Sequence, residues 1–365
     1  MNFGLLYELQ SPKPHTADHE SRVYREAMEQ IVTADGIGFT HAWFVEHHML
    51  EEWSYSSAPE VFLGALSQRT RNLRLGHGIA LLPAKFNNPI RVAERAAALD
   101  ILSNGRVELG TGRSVTVAEL EGFGVDPAET RPMWEEAVRM IPRMWRDEPF
   151  EHHGKYFDVP LRNVVPKPVQ KPHPPLWLAG TSPETFELAG RNGLGMLGFV
   201  VGTPEGTRER IQAYRRSIRA CREPAGAFVN EKVGILVNVH CRPSDAQAID
   251  EAREPMAWMQ RVNAALFQPF RDNKVPGYEH YWDLSHPEGG QTWEQRSREA
   301  PPLEKLVESA VYAIGSPATV RNVIGQYREA GADQIVCWFQ FGGLAHEKIL
   351  ASLELFAREV IPAFR

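Results

Sequence analysis

Cysteine is scarce in this chain: Cys221, Cys241 and Cys337 are the only three in 365 residues. An odd, scattered set without metal-ligand spacing excludes a disulfide framework and a zinc knuckle. No apolar stretch approaches the roughly 20 residues that a membrane-spanning helix requires. The 40 basic and 46 acidic residues leave a net charge of −6, and neither sign is gathered into a long block. The chain therefore lacks the electrostatic footprint of a nucleic-acid or membrane-surface binder. No Gly/Ser, proline-rich or charged linker divides it, and a strand-like segment, Asn2 to Leu6, begins directly after the first residue. These features lead to the expectation of a reduced, soluble, cytoplasmic protein that works on a small molecule.

What is present is alternation. A composition of 43% hydrophobic and 24% charged residues can bury a large core. β-prone apolar runs at 2–7, 40–45, 73–79, 106–109, 175–179, 195–200, 233–239 and 334–339 predict strands. Between them, patterns of helical period predict helices at 19–35, 59–70, 88–102, 130–146, 183–192, 204–222, 244–260 and 344–361. Eight strand–helix pairs predict a single (β/α)8 TIM barrel, and the length beyond roughly 250 residues must sit in insertions. One is expected at about 148–168, a β-hairpin with a glycine turn at Gly154. The other is expected at about 261–300, an irregular segment carrying Phe267, Phe270, Tyr278, Tyr281, Trp282 and Trp293. Length, aromatic content and lack of period make that segment a candidate cover over a binding site.

Catalytic groups in a barrel sit at the carboxyl ends of its strands. The run His41-Ala42-Trp43-Phe44-Val45-Glu46-His47-His48 is a short apolar strand that ends in one carboxylate and two imidazoles. Successive strand residues point to opposite faces, so His47 and His48 cannot both aim into the barrel. The same divergence, and the lack of further ligands, argue against a metal centre at Glu46, His47 and His48. Gly110-Thr111-Gly112-Arg113 offers flexible backbone beside a guanidinium, a combination suited to phosphate, although it is not the G-x-G-x-x-G fingerprint. Thr181-Ser182-Pro183-Glu184-Thr185 follows a strand and opens a helix, with Ser182 as N-cap, which favours an anion at the helix start. Helix capping and a plain glycine turn explain the same residues without a ligand. Trp43, Phe44, Trp53, Tyr55 and Trp282 are candidate walls of an apolar substrate pocket, though core packing would also use such residues.

Several of these segments together resemble the bacterial luciferase-like flavin monooxygenase family. They are Glu46-His47-His48, the run from Asn88 to Asp100, Leu102-Ser103-Asn104-Gly105-Arg106 leading into Gly110 to Arg113, the run from Pro175 to Thr185, and Gly315 to Val320. The resemblance implies a single (β/α)8 barrel that takes reduced FMN as co-substrate from a separate NAD(P)H:flavin reductase. It implies reaction with O2 through a flavin C4a-hydroperoxide, oxygenation of a small organic substrate, which the aromatic candidates make an apolar one, and a homodimer. By the same resemblance His47 is the catalytic histidine, with Glu46 and His48 in support. Arg113, Ser182 and Thr185 hold the FMN phosphate, with Thr181 standing where the luciferase has an acid and Gly112 where it has a reactive cysteine. Gly78-Ile79 falls where family members often carry a strand bulge and a non-proline cis peptide beneath the flavin. Three other readings remain open: a deazaflavin-dependent oxidoreductase on this fold, a non-catalytic flavin-binding protein, and a metal-dependent hydrolase.

Overall fold

The computed structural model describes residues 1–199, 202–286 and 301–365. Eight parallel strands close a barrel. They are β1 (Asn2–Tyr7), β2 (His41–Phe44), β3 (Arg74–Leu81), β4 (Val107–Gly112), β7 (Leu176–Gly180), β8 (Gly195–Gly198), β9 (Val233–Cys241) and β11 (Gln334–Trp338). They follow one another around the ring in that order, and β11 returns to β1. An antiparallel hairpin, β5 (Phe150–His153) and β6 (Asp158–Arg162), forms where the sequence predicts one, and the short β10 (Ala313–Gly315) adds to the far end of β9. The outer layer comprises α1 (His19–Asp35), α2 (Pro59–Arg69), α3 (Pro89–Leu102), α5 (Thr130–Met144), α6 (Pro183–Arg191), α7 (Pro204–Arg219), α11 (Pro317–Glu329) and α12 (His346–Glu359).

Period-two alternation sorts each strand into an outer and an inner face. On β1 the outer set is Phe3, Leu5 and Tyr7. Phe3 meets Phe356 and Phe364 edge-on, and Tyr7 stacks on Phe44 and donates to Gln30 Oε1 at 3.1 Å. The inner set of β1 is Gly4 and Leu6, followed just past the strand by Glu8. On β2 the inner residues are His41 and Trp43, and on β3 they are Arg74, Gly76 and Gly78. Register brings Trp43 beside Gly76, and a Cβ at Gly76 would overlap the indole; one at Gly4 would come within 3.1 Å of the indole, and one at Gly78 within 3.1 Å of the Trp43 Cβ. Three glycines thus make room for one large ring. Trp43 is fully buried, parallel to His41 and edge-on to Trp177 at 5.4 Å. Below it the amino end of the barrel is closed by His41, Arg74, Glu108 and Gln334, with Arg74 Nε and Trp177 Nε1 both donating to Glu108.

Two aromatic residues expected to line a pocket are therefore corrected. Trp43 plugs the barrel interior, because the glycines that accommodate it become its neighbours only once the strands register. Phe44 points outward onto Phe62 and Tyr7.

The second insertion also differs from the expectation. The sequence pattern ends a helix at 260, whereas α8 runs from Asp245 through Asp272 and past Pro255 and Pro269. Proline removes a backbone donor and interrupts the helical pattern, yet burial of Met256, Met259 and Phe270 holds this helix together. The helix that covers the β9-to-β11 crossover is α11, absent from the predicted set. The insertion accordingly begins with α8 itself. At 1.5 Å per residue α8 is about 42 Å long. It packs against β9 and β10 at one end and at the other against α4 (Val117–Gly122), which follows β4. It crosses the carboxyl mouth, with Met259 Sδ 3.6 Å from Asn238 Nδ2 and Pro255 against Gly342. A short α9 (Glu279–Ser285) follows, and α10 (Leu303–Glu308) leads into β10. Trp293 and the rest of 287–300 lie outside the described residues.

The interior packing makes a stability prediction. Gly76→Ala is expected to destabilise the chain by about 1–3 kcal/mol, the cost of overpacking a filled core. Combining it with Trp43→Leu should cost clearly less than the two single changes added together, because both act on the same space. Urea unfolding of the four proteins measures the coupling, and strict additivity would show that the glycine and the indole do not compete.

Candidate active site at the carboxyl mouth

β2 ends at Phe44, but its alternation persists for four more residues. His47 turns inward, while Glu46 and His48 turn away from the barrel axis. Glu46 is fixed between β2 and β3: Oε2 accepts from Leu81 N at 2.8 Å, and Oε1 accepts from Asn87 Nδ2 at 2.8 Å. His48 Nε2 lies 3.1 Å from Glu46 Oε1, and its ring packs on Phe86 and Phe123. The two imidazoles therefore occupy different surroundings, and Glu46 and His48 form a bracket behind His47.

His47 sits between two carboxylates that sequence reasoning did not single out. Nδ1 is 2.9 Å from Glu119 Oε1, on α4, and Nε2 is 3.7 Å from Glu8 Oε2, just past β1. Glu119 is fully buried and also accepts from His48 N at 2.9 Å, Ser114 Oγ at 2.8 Å and Thr116 Oγ1 at 2.7 Å. Burial would push the Glu119 carboxyl up, but His47 and these donors outweigh it and hold the carboxyl at about 2. Burial likewise disfavours charge on His47, yet Glu119 and Glu8 raise it to about 9. Glu8 has no hydrogen-bond partner on Oε2, and desolvation raises it to about 7 in spite of His47. At neutral pH His47 is an imidazolium oriented by Glu119, with Nε2–H facing the mouth and Glu8. Such a group can donate a proton at Nε2 and recover it. Among the described residues no three His, Cys, Asp or Glu are grouped to hold a metal ion.

On the opposite side of the mouth, β4 and β7 are neighbours. Their register, with Thr111 beside Leu178, places Arg113 and the Thr181–Ser182 turn at adjacent strand ends. Ser182 caps α6, accepting from Thr185 N at 3.3 Å, with Thr185 Oγ1 3.1 Å from Ser182 Oγ. Gly180 leaves space that the Thr185 side chain occupies. Arg113 donates to Thr130 Oγ1 at 2.9 Å and to Gly277 O at 2.7 Å, and its guanidinium lies 4.2 Å from the centre of the Tyr278 ring. The Thr181 side chain lies beside the Tyr281 hydroxyl. The segment between α8 and α9 thus packs directly over these residues, through a buried cluster of Phe270, Tyr278, Leu120 and Val125. His280 contributes a buried Nε2 without a partner; desolvation, and then Arg113, lower the ring to about 4.

The wall between the two halves is built of glycine. β3 shifts register against β4 between His77 and Ala80, a bulge at the position where the sequence suggested one. The bulge brings the Ile79 side chain over Gly112, whose Cβ would overlap it. The Gly78–Ile79 peptide is trans; the added residue is taken up by the bulge, and no inverted peptide is needed.

Of the remaining aromatic candidates, Trp53 meets Trp338 edge-on at 5.8 Å at the mouth. Tyr55 lies among His15 and His19 with its hydroxyl 3.1 Å from His19 Nε2, on the outer side of the loop after β2. Trp282 stacks on His286 within the α9 segment.

Comparison with known proteins fits this geometry. The family model described as luciferase-like monooxygenase matches residues 1–334. The oxygenase component of a flavin-dependent trigonelline monooxygenase from Acinetobacter baylyi is 27% identical over 378 residues, covering 100% of this chain and 96% of that protein. An F420-dependent glucose-6-phosphate dehydrogenase from Amycolatopsis mediterranei is 26% identical, over 47% of this chain and 53% of that protein. In fold, the chain superposes on the oxygenating constituent of 3,6-diketocamphane monooxygenase from Pseudomonas putida, solved with FMN. The TM-score is 0.78 at 21% identity, over 99% of this chain and 98% of that one.

The pairing of His47 sets a pH signature. Its folded value is raised above the ordinary 6.5, so the stability it contributes is complete below about 6.5 and is lost as pH rises through about 9. Glu119 has the opposite sign: its contribution is present above about 4.5 and is lost as pH falls toward 2. An NMR titration should find the His47 ring protonated at pH 7. Glu119→Gln should lower its midpoint by about 1–3 units, the effect of an adjacent opposite charge. An unchanged midpoint would show that Glu119 does not set the charge on His47.

Proposed function

This chain belongs to the luciferase-like monooxygenase family, and from that premise we propose that it is the FMN-dependent oxygenase component of a two-component system. A separate NAD(P)H-dependent flavin reductase would supply reduced FMN, and O2 and a small organic molecule would be the other substrates. The observation that carries this reading is the His47 ring held at the barrel mouth between the Glu119 and Glu8 carboxylates, 2.9 and 3.7 Å from its two nitrogens. Oxygenation needs protons delivered to the oxygen atom that leaves as water, and a buried, oriented group that gives up a proton and recovers it meets that need.

The residues present fit the cofactor. Arg113, the Ser182 cap and Thr185 at the start of α6 offer a charge, hydroxyls and helix-end N–H groups to a phosphate. Thr181 lies beside them, and the partnerless His280 Nε2 adds a buried polar atom that an anionic ligand would satisfy. The glycine wall of Gly78 and Gly112, with Ile79 across it, offers a flat apolar surface to a ring system. When bound, reduced FMN supplies the electron pair and the reactivity toward O2. The chain's own part is different: Arg113 and α6 anchor, Glu119 fixes the tautomer and direction of His47, and His47 moves a proton at Nε2. Glu46 and His48 keep the β2 end in place, and α8 keeps water from the mouth.

The phosphate assignment is tested first. Arg113→Ala should weaken reduced FMN by about 1.5–3 kcal/mol, the range for charge-assisted hydrogen bonds, while riboflavin, which lacks the phosphate, should change far less. Equal losses in anaerobic titrations of both would remove Arg113 from the grip. The same titration with reduced deazaflavin F420 separates the cofactors: preference for F420, with no oxygen uptake, would replace the monooxygenase reading by that of a deazaflavin oxidoreductase. His47→Ala should lower the yield of oxygenated product by about 100-fold or more, measured with labelled O2, and unchanged coupling of O2 to product would exclude the role.

A further inference from the structure

Three partnerless polar atoms gather where the β1 and β11 ends meet. These strands are neighbours, with Leu5 beside Cys337, and their inward lines run through Leu6 to Glu8 and through Trp338 to Gln340. Glu8, Gln10 and Gln340 are 6%, 4% and 9% exposed, and Glu8 Oε2, Gln10 Nε2 and Gln340 Oε1 have no hydrogen-bond partner. The backbone around them is tied down. Ser54 Oγ donates to the Glu8 carbonyl at 2.7 Å, Trp338 Nε1 to the Gln340 carbonyl at 2.6 Å, and Gly342 N to Gln10 Oε1 at 2.8 Å. Each buried orphan costs about 1–3 kcal/mol, so three in one rigid corner need a compensating partner.

The chemistry of that partner follows from the corner. Trp53 and Trp338, edge-to-face at 5.8 Å, supply flat apolar walls under the cover of α8, which suit a planar ring. The Gln340 amide can turn over and so can donate or accept, whereas Gln10 is held by Gly342 N at its Oε1 and presents Nε2 as a donor. The Glu8 carboxylate only accepts, and His47 Nε2 at 3.7 Å is too far to satisfy it by a hydrogen bond. A hydrocarbon, ether or ketone would bring no hydrogen-bond donor to the ionised Glu8 carboxylate. We infer that this corner is the substrate-recognition site, that Glu8 is its specificity determinant, and that the substrate is a planar ring bearing N–H donors, of the aromatic amidine or carboxamide type. The inference rests on the oxygenase reading above and replaces its unspecified organic substrate, expected from the aromatic residues to be apolar, by a donor-bearing one.

Three compounds of matching shape test it: benzamidine, benzamide and isopropylbenzene, which carry a charged donor pair, a neutral amide and no polar atom. Ligand-observed NMR titrations of the full-length chain, with and without saturating oxidised FMN, should find benzamidine at least about tenfold tighter than isopropylbenzene, equal to 1.4 kcal/mol. Glu8→Gln, which preserves shape, should weaken benzamidine at least about tenfold and change benzamide much less, because the new amide oxygen still accepts. Glu8→Leu should turn the preference toward isopropylbenzene; thermal melts verify folding, and if that variant does not fold the isosteric Gln variant decides. Equal binding of benzamidine and isopropylbenzene, an unaltered benzamidine affinity in Glu8→Gln, or no binding of any of the three would each overturn the proposal. These titrations require no turnover. A chain with this binding order but no oxygen uptake would refute the oxygenase reading alone, and an active oxygenase that prefers isopropylbenzene would refute this inference alone.

Discussion

The site depends on one buried carboxylate. Glu119 accepts four hydrogen bonds, from the His47 ring, the His48 amide and the hydroxyls of Ser114 and Thr116. A charge removed from water costs several kcal/mol unless it is paired and fully hydrogen-bonded, and here the four partners come from two short segments, His47 and His48 and then Ser114 and Thr116. The bonds join the end of β2 to the loop after β4 and to the first turn of α4. Ser114 reaches Glu119 from a backbone conformation with φ of 77°, unusual for a residue other than glycine. Backbone strain of this kind persists where the surroundings enforce it, and the carboxylate is the group that enforces it. Without Glu119, the direction of His47, its charge and the start of α4 would all lose their common anchor.

Much of the fold was legible in the chain. All eight barrel strands coincide with apolar runs, and the opposite directions of His47 and His48 follow from strand alternation carried past Phe44. Other features depend on contacts that no local pattern encodes. Trp43 reads as a pocket aromatic until register places Gly4 and Gly76 beside it, when it becomes the interior plug. Arg113 is held by Gly277, 164 residues away, and α8 outlasts two prolines because Met256, Met259 and Phe270 are buried. Two residues at the site carried signals that went unused. Thr116 and Glu119 have the spacing of a capping box, which marks a helix start, and Thr116 indeed caps α4. Glu8 continues the inward series of Gly4 and Leu6, so alternation alone directs it into the mouth.

The mouth is electrically divided. One half holds Glu8, Glu46 and Glu119 around His47 and His48; the other holds Arg113 and Arg131 with the start of α6, tempered by Glu184 and a His280 ring kept neutral. Two unit charges 4 Å apart interact by about 4 kcal/mol at an effective dielectric of 20, against about 1 kcal/mol in water, so the cover supplied by α8 gives this division its force. On the reading proposed above, a ligand with an anionic end would be favoured with its charge against β4 and α6 and disfavoured with it against β1 and β2. The rest of such a ligand would then face the Gly78–Gly112 wall, with its far end toward Nε2 of His47. Charge thus sets direction, glycine leaves the space, and the Glu119 anchor keeps the proton at the point where that space ends.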